Sequence, residues 1–86
     1  MDTQTAPQLD VIVNSPDHLI WEGKAYSVSA ENSTGVFDIL PGHANFVTMV
    51  EGKPIIVRTG LKEEVFQYSN VLLSVKDNLL TIYAEI

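Results

Sequence analysis

Leu9-Asp10-Val11-Ile12-Val13-Asn14 sets Leu9, Val11 and Val13 on one parity and Asp10, Ile12 and Asn14 on the other. Successive side chains of a β-strand point to opposite faces, so this alternation is the mark of a half-buried strand. The same period of two recurs further along. Tyr26, Val28 and Ala30 alternate with Ser27, Ser29 and Glu31, and Val71, Leu73 and Val75 alternate with Leu72, Ser74 and Lys76. Turn signals fall between the runs at Asn14-Ser15-Pro16-Asp17, Glu22-Gly23, Ser33-Thr34-Gly35, Pro41-Gly42, Glu51-Gly52, Gly60 and Asp77-Asn78. A spacing of roughly ten residues is that of a sandwich or barrel. No stretch keeps apolar residues at helical spacing over the three turns or so that a stable helix needs. The chain therefore reads as all-β, with no helix beyond about two turns expected over residues 9–86. Pro54 cannot donate to a ladder, which puts it at a strand start or on an edge.

Outside these runs, residues 1–8 are polar, carry no Lys or Arg and contain Pro7, so they read as a loose arm and not as a signal peptide. No apolar run approaches the roughly 18 residues that would span a bilayer as a helix. The 86 residues suffice for one domain with a thin core, to which nearly every strand must contribute.

Composition excludes several kinds of function. The chain has no cysteine, so disulfides, thiolate nucleophiles and cysteine metal sites are ruled out. Five basic residues face eleven acidic ones, for a formal net charge of -6. Lys24, Lys53, Arg58, Lys62 and Lys76 form no basic stripe, which argues against nucleic acid and against direct docking on anionic lipid. His18 and His43 are the candidates for a general base or a metal ligand. Neither has a second His or a Cys near it in sequence, and no Ser lies in a nucleophile elbow, so no catalytic, metal or cofactor site is expected. Leu79 and Tyr83 are apolar on the parity opposite Leu80, Ile82 and Ala84. A strand apolar on both faces is either sandwiched or in contact with a partner. Trp21 and Tyr83 suit core or inter-subunit packing.

The densest group of turn and anchor residues is Gly35-Val36-Phe37-Asp38-Ile39-Leu40-Pro41-Gly42-His43-Ala44. Pro41-Gly42 suits a turn with a preset φ followed by a positive one. With Ile39 and Leu40 anchored inward, the segment is expected to project as a rigid lobe at one end of the sandwich. Taken generically it is only a loop. However, it resembles a segment of the epsilon subunits of rotary ATP synthases, of the form Gly-acidic-apolar-Gly-Ile-Leu-Pro-Gly-His-Ala. Leu9–Val13 with Ser15-Pro16, Ile20-Trp21-Glu22-Gly23-Lys24-Ala25, Thr48 with Glu51-Gly52, and Val75–Asn78 with Leu80–Ile82 and Ala84-Glu85 resemble the same family in register.

The resemblance implies a flattened β-sandwich of about ten short, mostly antiparallel strands. It implies a non-catalytic central-stalk part of a proton-translocating ATP synthase, coupling ring rotation to ATP synthesis or hydrolysis. Such a part lies peripherally on the cytoplasmic face of the membrane or its organellar equivalent, clamped to the gamma subunit and resting on the c-ring. The ring contact maps to Gly35, Val36, Phe37, Asp38, Pro41, Gly42 and His43, and a gamma contact to Leu79 and Tyr83. The family's C-terminal helical hairpin, which inhibits hydrolysis and in some members binds ATP, has no counterpart in these 86 residues. No nucleotide is therefore expected on this domain. The sequence also departs from the pattern at three places. Val36 replaces the usual carboxylate, Asp38 replaces a Gly, and Asn70-Val71 replaces Gly-Gly, so the strand start there is expected to be built differently. Docking is expected to lean on Val36 and Phe37 more than on an ion pair. The rival reading is a free-standing β-sandwich module for a small ligand or peptide.

Overall fold

The computed structural model describes residues 7–85. The expected arm lies outside the described residues apart from Pro7 and Gln8. Among the described residues nine strands form in order: β1 (Leu9–Asn14), β2 (Leu19–Ala25), β3 (Ser27–Asn32), β4 (Gly35–Ile39), β5 (Phe46–Val50), β6 (Ile55–Arg58), β7 (Glu63–Phe66), β8 (Val71–Lys76) and β9 (Leu79–Ala84). They build a five-stranded sheet in the order β2-β1-β9-β8-β5 and a four-stranded sheet in the order β4-β3-β6-β7. Every pairing is antiparallel except that of β1 with β9. Among the described residues no helix forms that is long and apolar enough to cross a membrane.

The period of two places the core where the alternation predicts it. Leu9, Val11 and Val13 of β1, Val71, Leu73 and Val75 of β8, and Leu80, Ile82 and Ala84 of β9 are all buried. All of these but Ala84 meet Val28 and Ala30 of β3, Ile39 of β4, and Ile55 and Val57 of β6 from the opposite sheet in one cluster. Each fully buried Val, Leu or Ile contributes on the order of 1.5–3 kcal/mol relative to exposure. No side-chain nitrogen or oxygen among the described residues is buried without a partner. Pro54 immediately precedes β6, as the missing N–H requires. Neither Asn70 nor Val71 has a positive φ. Val71 instead opens β8 with its side chain fully buried in the core.

Three expectations change. Glu22-Gly23 is not a turn: β2 runs straight through it, and the ring of Trp21 lies over Gly23, where an added Cβ would come within 2.7 Å of it. Leu40 is not anchored inward but 55% exposed, because β4 ends at Ile39 and the alternation stops with it. The Gly35–Ile39 half of the dense segment is not a lobe but an edge strand, paired with β3 from Val28↔Ile39 to Asn32↔Gly35.

Candidate docking surfaces

Strand β4 alternates cleanly. Gly35, Phe37 and Ile39 are turned toward the opposite sheet, while Val36 and Asp38 are exposed on the outer face. Val36 is 74% exposed and borders a shallow groove with Ser29, Glu31, Pro54 and Ile56. Phe37, expected to share the contact with Val36, is on the other side of the strand. It packs against the core and meets Phe46 of β5 edge-on, with ring centroids 6.0 Å apart. Asp38 accepts a hydrogen bond from Ser29 Oγ at 2.5 Å, and Ser29 Oγ in turn accepts from Arg58 Nη1 at 2.6 Å. Arg58 Nε also donates to Glu63 at 3.1 Å. The carboxylate that the sequence moves from position 36 to 38 is thus occupied within its own sheet.

After β4 the chain turns through Pro41-Gly42-His43, with Gly42 at φ +80° and His43 N–H donating to the Leu40 carbonyl at 3.1 Å. A positive φ at that position is what Gly permits at little cost. His43 Nδ1 is 2.7 Å from the Ala44 carbonyl oxygen. A carbonyl can only accept, so that nitrogen carries the proton. The ring packs on Phe46 at a centroid distance of 4.8 Å. His43 is therefore a packed and hydrogen-bonded turn residue.

His18 belongs to the β1–β2 turn. Its Nδ1 lies 2.9 Å from both Ser15 Oγ and Asp17 Oδ1. In a Ser-His-Asp relay the hydroxyl and the carboxylate engage opposite ring nitrogens. Here they share one, on the solvent-exposed surface, so the trio has no relay geometry. Hydrogen bonds from His18 and then Ser15 hold the Asp17 carboxyl below its usual range.

The outer face of the five-stranded sheet carries the second group. Tyr83 and Leu79 both point outward, with 40% and 36% exposure, but in different surroundings. In the register of the sheet Tyr83 lies beside Leu72, which lies beside Met49. The next outward row holds Val47, Ser74, Thr81 and Ile12. Leu79, four residues from Tyr83 and so about 13 Å along the strand, is flanked by Lys76 and Asp10. Tyr83 thus stands at one end of an apolar strip that runs on through Leu72 to Met49, with Val47 in the next row and Asn14 on its other side, whereas Leu79 stands at a charged end. Sequence reading missed Val47, Met49 and Leu72. Their signal was present as apolar residues on the outward parity, but only the β5–β8–β9 register joins them.

Two sheets with outward apolar residues at an edge and on a broad face define a β-sandwich that offers surfaces more than a cleft. Residues 8–86 match the family described as the β-sandwich domain of the ATP synthase delta/epsilon chain. The chain belongs to that family. It is 32% identical over 82 residues to the ATP synthase epsilon chain of Streptomyces avermitilis, covering 94% of this chain and 66% of the relative. With the ATP synthase epsilon chain of Leptospira interrogans it shares 31% over 81 residues, covering 94% and 64%. The chain thus spans just under two thirds of the length of these relatives. Among solved structures, its fold is similar to that of a chain in the OSCP/F1/c-ring assembly of Euglena gracilis mitochondrial ATP synthase. There the TM-score is 0.82 at 17% identity, covering 98% of this chain and 54% of the other. A chain in the central stalk and c-ring of the Tetrahymena thermophila enzyme gives 0.72 at 15% identity, covering 92% and 65%.

Proposed function

We propose that this chain is the sandwich part of a central-stalk subunit of a proton-translocating ATP synthase, with no active site of its own. It docks on the gamma subunit and on the c-ring, so that ring rotation is coupled to nucleotide chemistry elsewhere in the complex. The observation that carries this reading is membership of the epsilon-type family over residues 8–86. The two surfaces give it a physical form. Val36 and the Pro41–His43 turn face the ring, supported from behind by Gly35, Phe37 and the Phe46 ring, while Asp38 is tied to Ser29 beside them. Tyr83, with Leu72 beside it, Met49 and Val47 further across the sheet and Leu79 along its own strand, faces gamma. The position is peripheral, on the side of the membrane where the catalytic part of the complex lies.

Co-purification with the gamma subunit and with assembled c-ring tests the proposal. Binding to both, with no change in melting temperature in millimolar ATP, is the expected result, since any nucleotide held by the folded state would raise it. A stable homodimer that ignores gamma would favour a free-standing binding module instead.

A further inference from the structure

The Pro41–His43 turn does not stand free: two side-chain amides tie it to the β8–β9 hairpin. Asn78 Oδ1 accepts the Gly42 N–H at 2.9 Å across 36 residues of sequence. In the other direction, Asn45 Oδ1 accepts the Asp77 N–H at 2.9 Å. The second end of the Asn78 amide is also used, with Nδ2 donating to the Gln8 carbonyl at 2.8 Å. Its backbone carbonyl accepts from the Asp10 N–H at 3.1 Å. Asp77 and Asn78 both have positive φ, 52° and 66°, as a two-residue hairpin turn of this kind requires. Asn tolerates that backbone and presents an acceptor and a donor in one fixed plane, so a single residue closes the hairpin and grips two other segments.

We propose that Asn78, with Asn45 as its counterpart, is the positioning residue that fixes the ring-facing turn relative to the gamma-facing sheet. This rests on the docking reading above. The turn runs on directly into β5 at Phe46, and residue 79 opens β9, the strand that carries Leu79 and Tyr83, so the clamp ties the turn to a second strand of the same sheet. Among the described residues, the turn's other hydrogen bonds and ring contact (Leu40 with His43, His43 Nδ1 with the Ala44 carbonyl, and His43 on Phe46) all lie within residues 40–46 and reach the sheet through Phe46 of β5. A coupling part must transmit displacement from one partner to the other without yielding, and the amide clamp supplies that stiffness across the hairpin.

Two variants separate positioning from folding. Asn78→Gly keeps the positive φ and removes both side-chain bonds, whereas Asn78→Asp keeps the acceptor toward Gly42. In Asn78→Gly, amide hydrogen exchange at Gly42 should speed at least about tenfold while Leu80 and Ile82 in the core keep their protection. Affinity for assembled c-ring should fall about five- to tenfold, the worth of a net hydrogen bond or two, with gamma affinity unchanged. Asn78→Asp should restore Gly42 protection and ring affinity together. Unchanged exchange at Gly42 or unchanged ring affinity in Asn78→Gly overturns the proposal, as does a loss of protection spread evenly through the core. A wild-type chain that ignores the ring removes the docking reading itself, and the exchange data then show separately whether the clamp exists.

Discussion

Strand β9 is hydrogen-bonded to β1 on one side and β8 on the other, whereas β4 has, among the described residues, a partner only in β3. Both strands present apolar side chains outward, yet they hold them by different means. Tyr83 is kept in place by two ladders and by the buried Ile82 and Ala84 on either side of it in sequence. Val36 stands on a sheet edge, and the turn that follows it depends on side-chain hydrogen bonds from a hairpin more than thirty residues away. A surface at the centre of a sheet inherits its rigidity from the core, and one at an edge must acquire it locally. Unpaired edges are also where sheets invite foreign strands, and on β4 the polar chain of Asp38, Ser29 and Arg58 lies across the outer face beside that edge.

The comparison breaks most visibly if the inward side of β9 is cut. Ile82→Ala should lower stability by about 2–5 kcal/mol, as buried Ile truncations do. Tyr83→Ser, one residue along and outward, should stay within roughly 1 kcal/mol. Urea midpoints at unchanged slope measure both, and equal losses would mean that the outer face of β9 is structural and not reserved for a partner. Next in size is Gly23→Ala on β2, an edge of the five-stranded sheet. Its new methyl would collide with the Trp21 ring, itself packed against Phe66 at 5.9 Å. Overpacking of this kind costs about 1–3 kcal/mol, and a neutral result would show that this edge yields where the centre does not.

Smaller still is the effect of charge at position 36. An exposed carboxylate there would gain about 1 kcal/mol from a cation at roughly 4 Å in water, screened within about 10 Å at ~0.1 M salt. Val36 replaces that attraction with apolar contact that salt does not screen. Ring docking by the wild type should therefore change little on salt titration, and Val36→Asp should weaken it unless a free basic residue waits on the ring. Steep loss of wild-type docking with salt, beside an unharmed Val36→Asp, would show that charge governs the edge after all. The smallest expected effect lies in the β1–β2 turn. The Asp17 carboxyl is held below its ordinary range in the fold, so its contribution is present above the unfolded value, near ~3.9, and is lost as pH falls through the lower folded value. Asp17→Asn should lower stability at neutral pH only slightly and flatten the acid limb by the same small amount, because the group is exposed.

Much of this was legible in the residues. The alternation at Leu9–Val13, Tyr26–Ala30 and Val71–Val75 is local, and it marked the core faces because each strand buries one side; Tyr26 is the exception, half-buried in the bend between β2 and β3. Pro41-Gly42 and Asp77-Asn78 are turns by their own backbone preferences. What could not be read was long-range. Glu22-Gly23 carries a turn composition, and only the Trp21 ring lying over the glycine explains why a strand passes through it. The exposure of Leu40 depends on where β4 loses its partner. The apolar strip joins β5, β8 and β9 through register, and the amide clamp joins residues 42 and 78. The parallel pairing of β1 with β9, which brings the first and last strands side by side, left no local mark at all.

The central claim is that the two surfaces serve different partners, and gamma affinity measured on two variants tests it most directly. Tyr83→Ser should weaken gamma binding by tenfold or more, since an aromatic anchor in an apolar contact is worth about 2 kcal/mol or above. Val36→Asp should leave gamma binding unchanged. Equal weakening by both substitutions, or none by Tyr83→Ser, would contradict the assignment of the central sheet face to gamma and the edge to the ring.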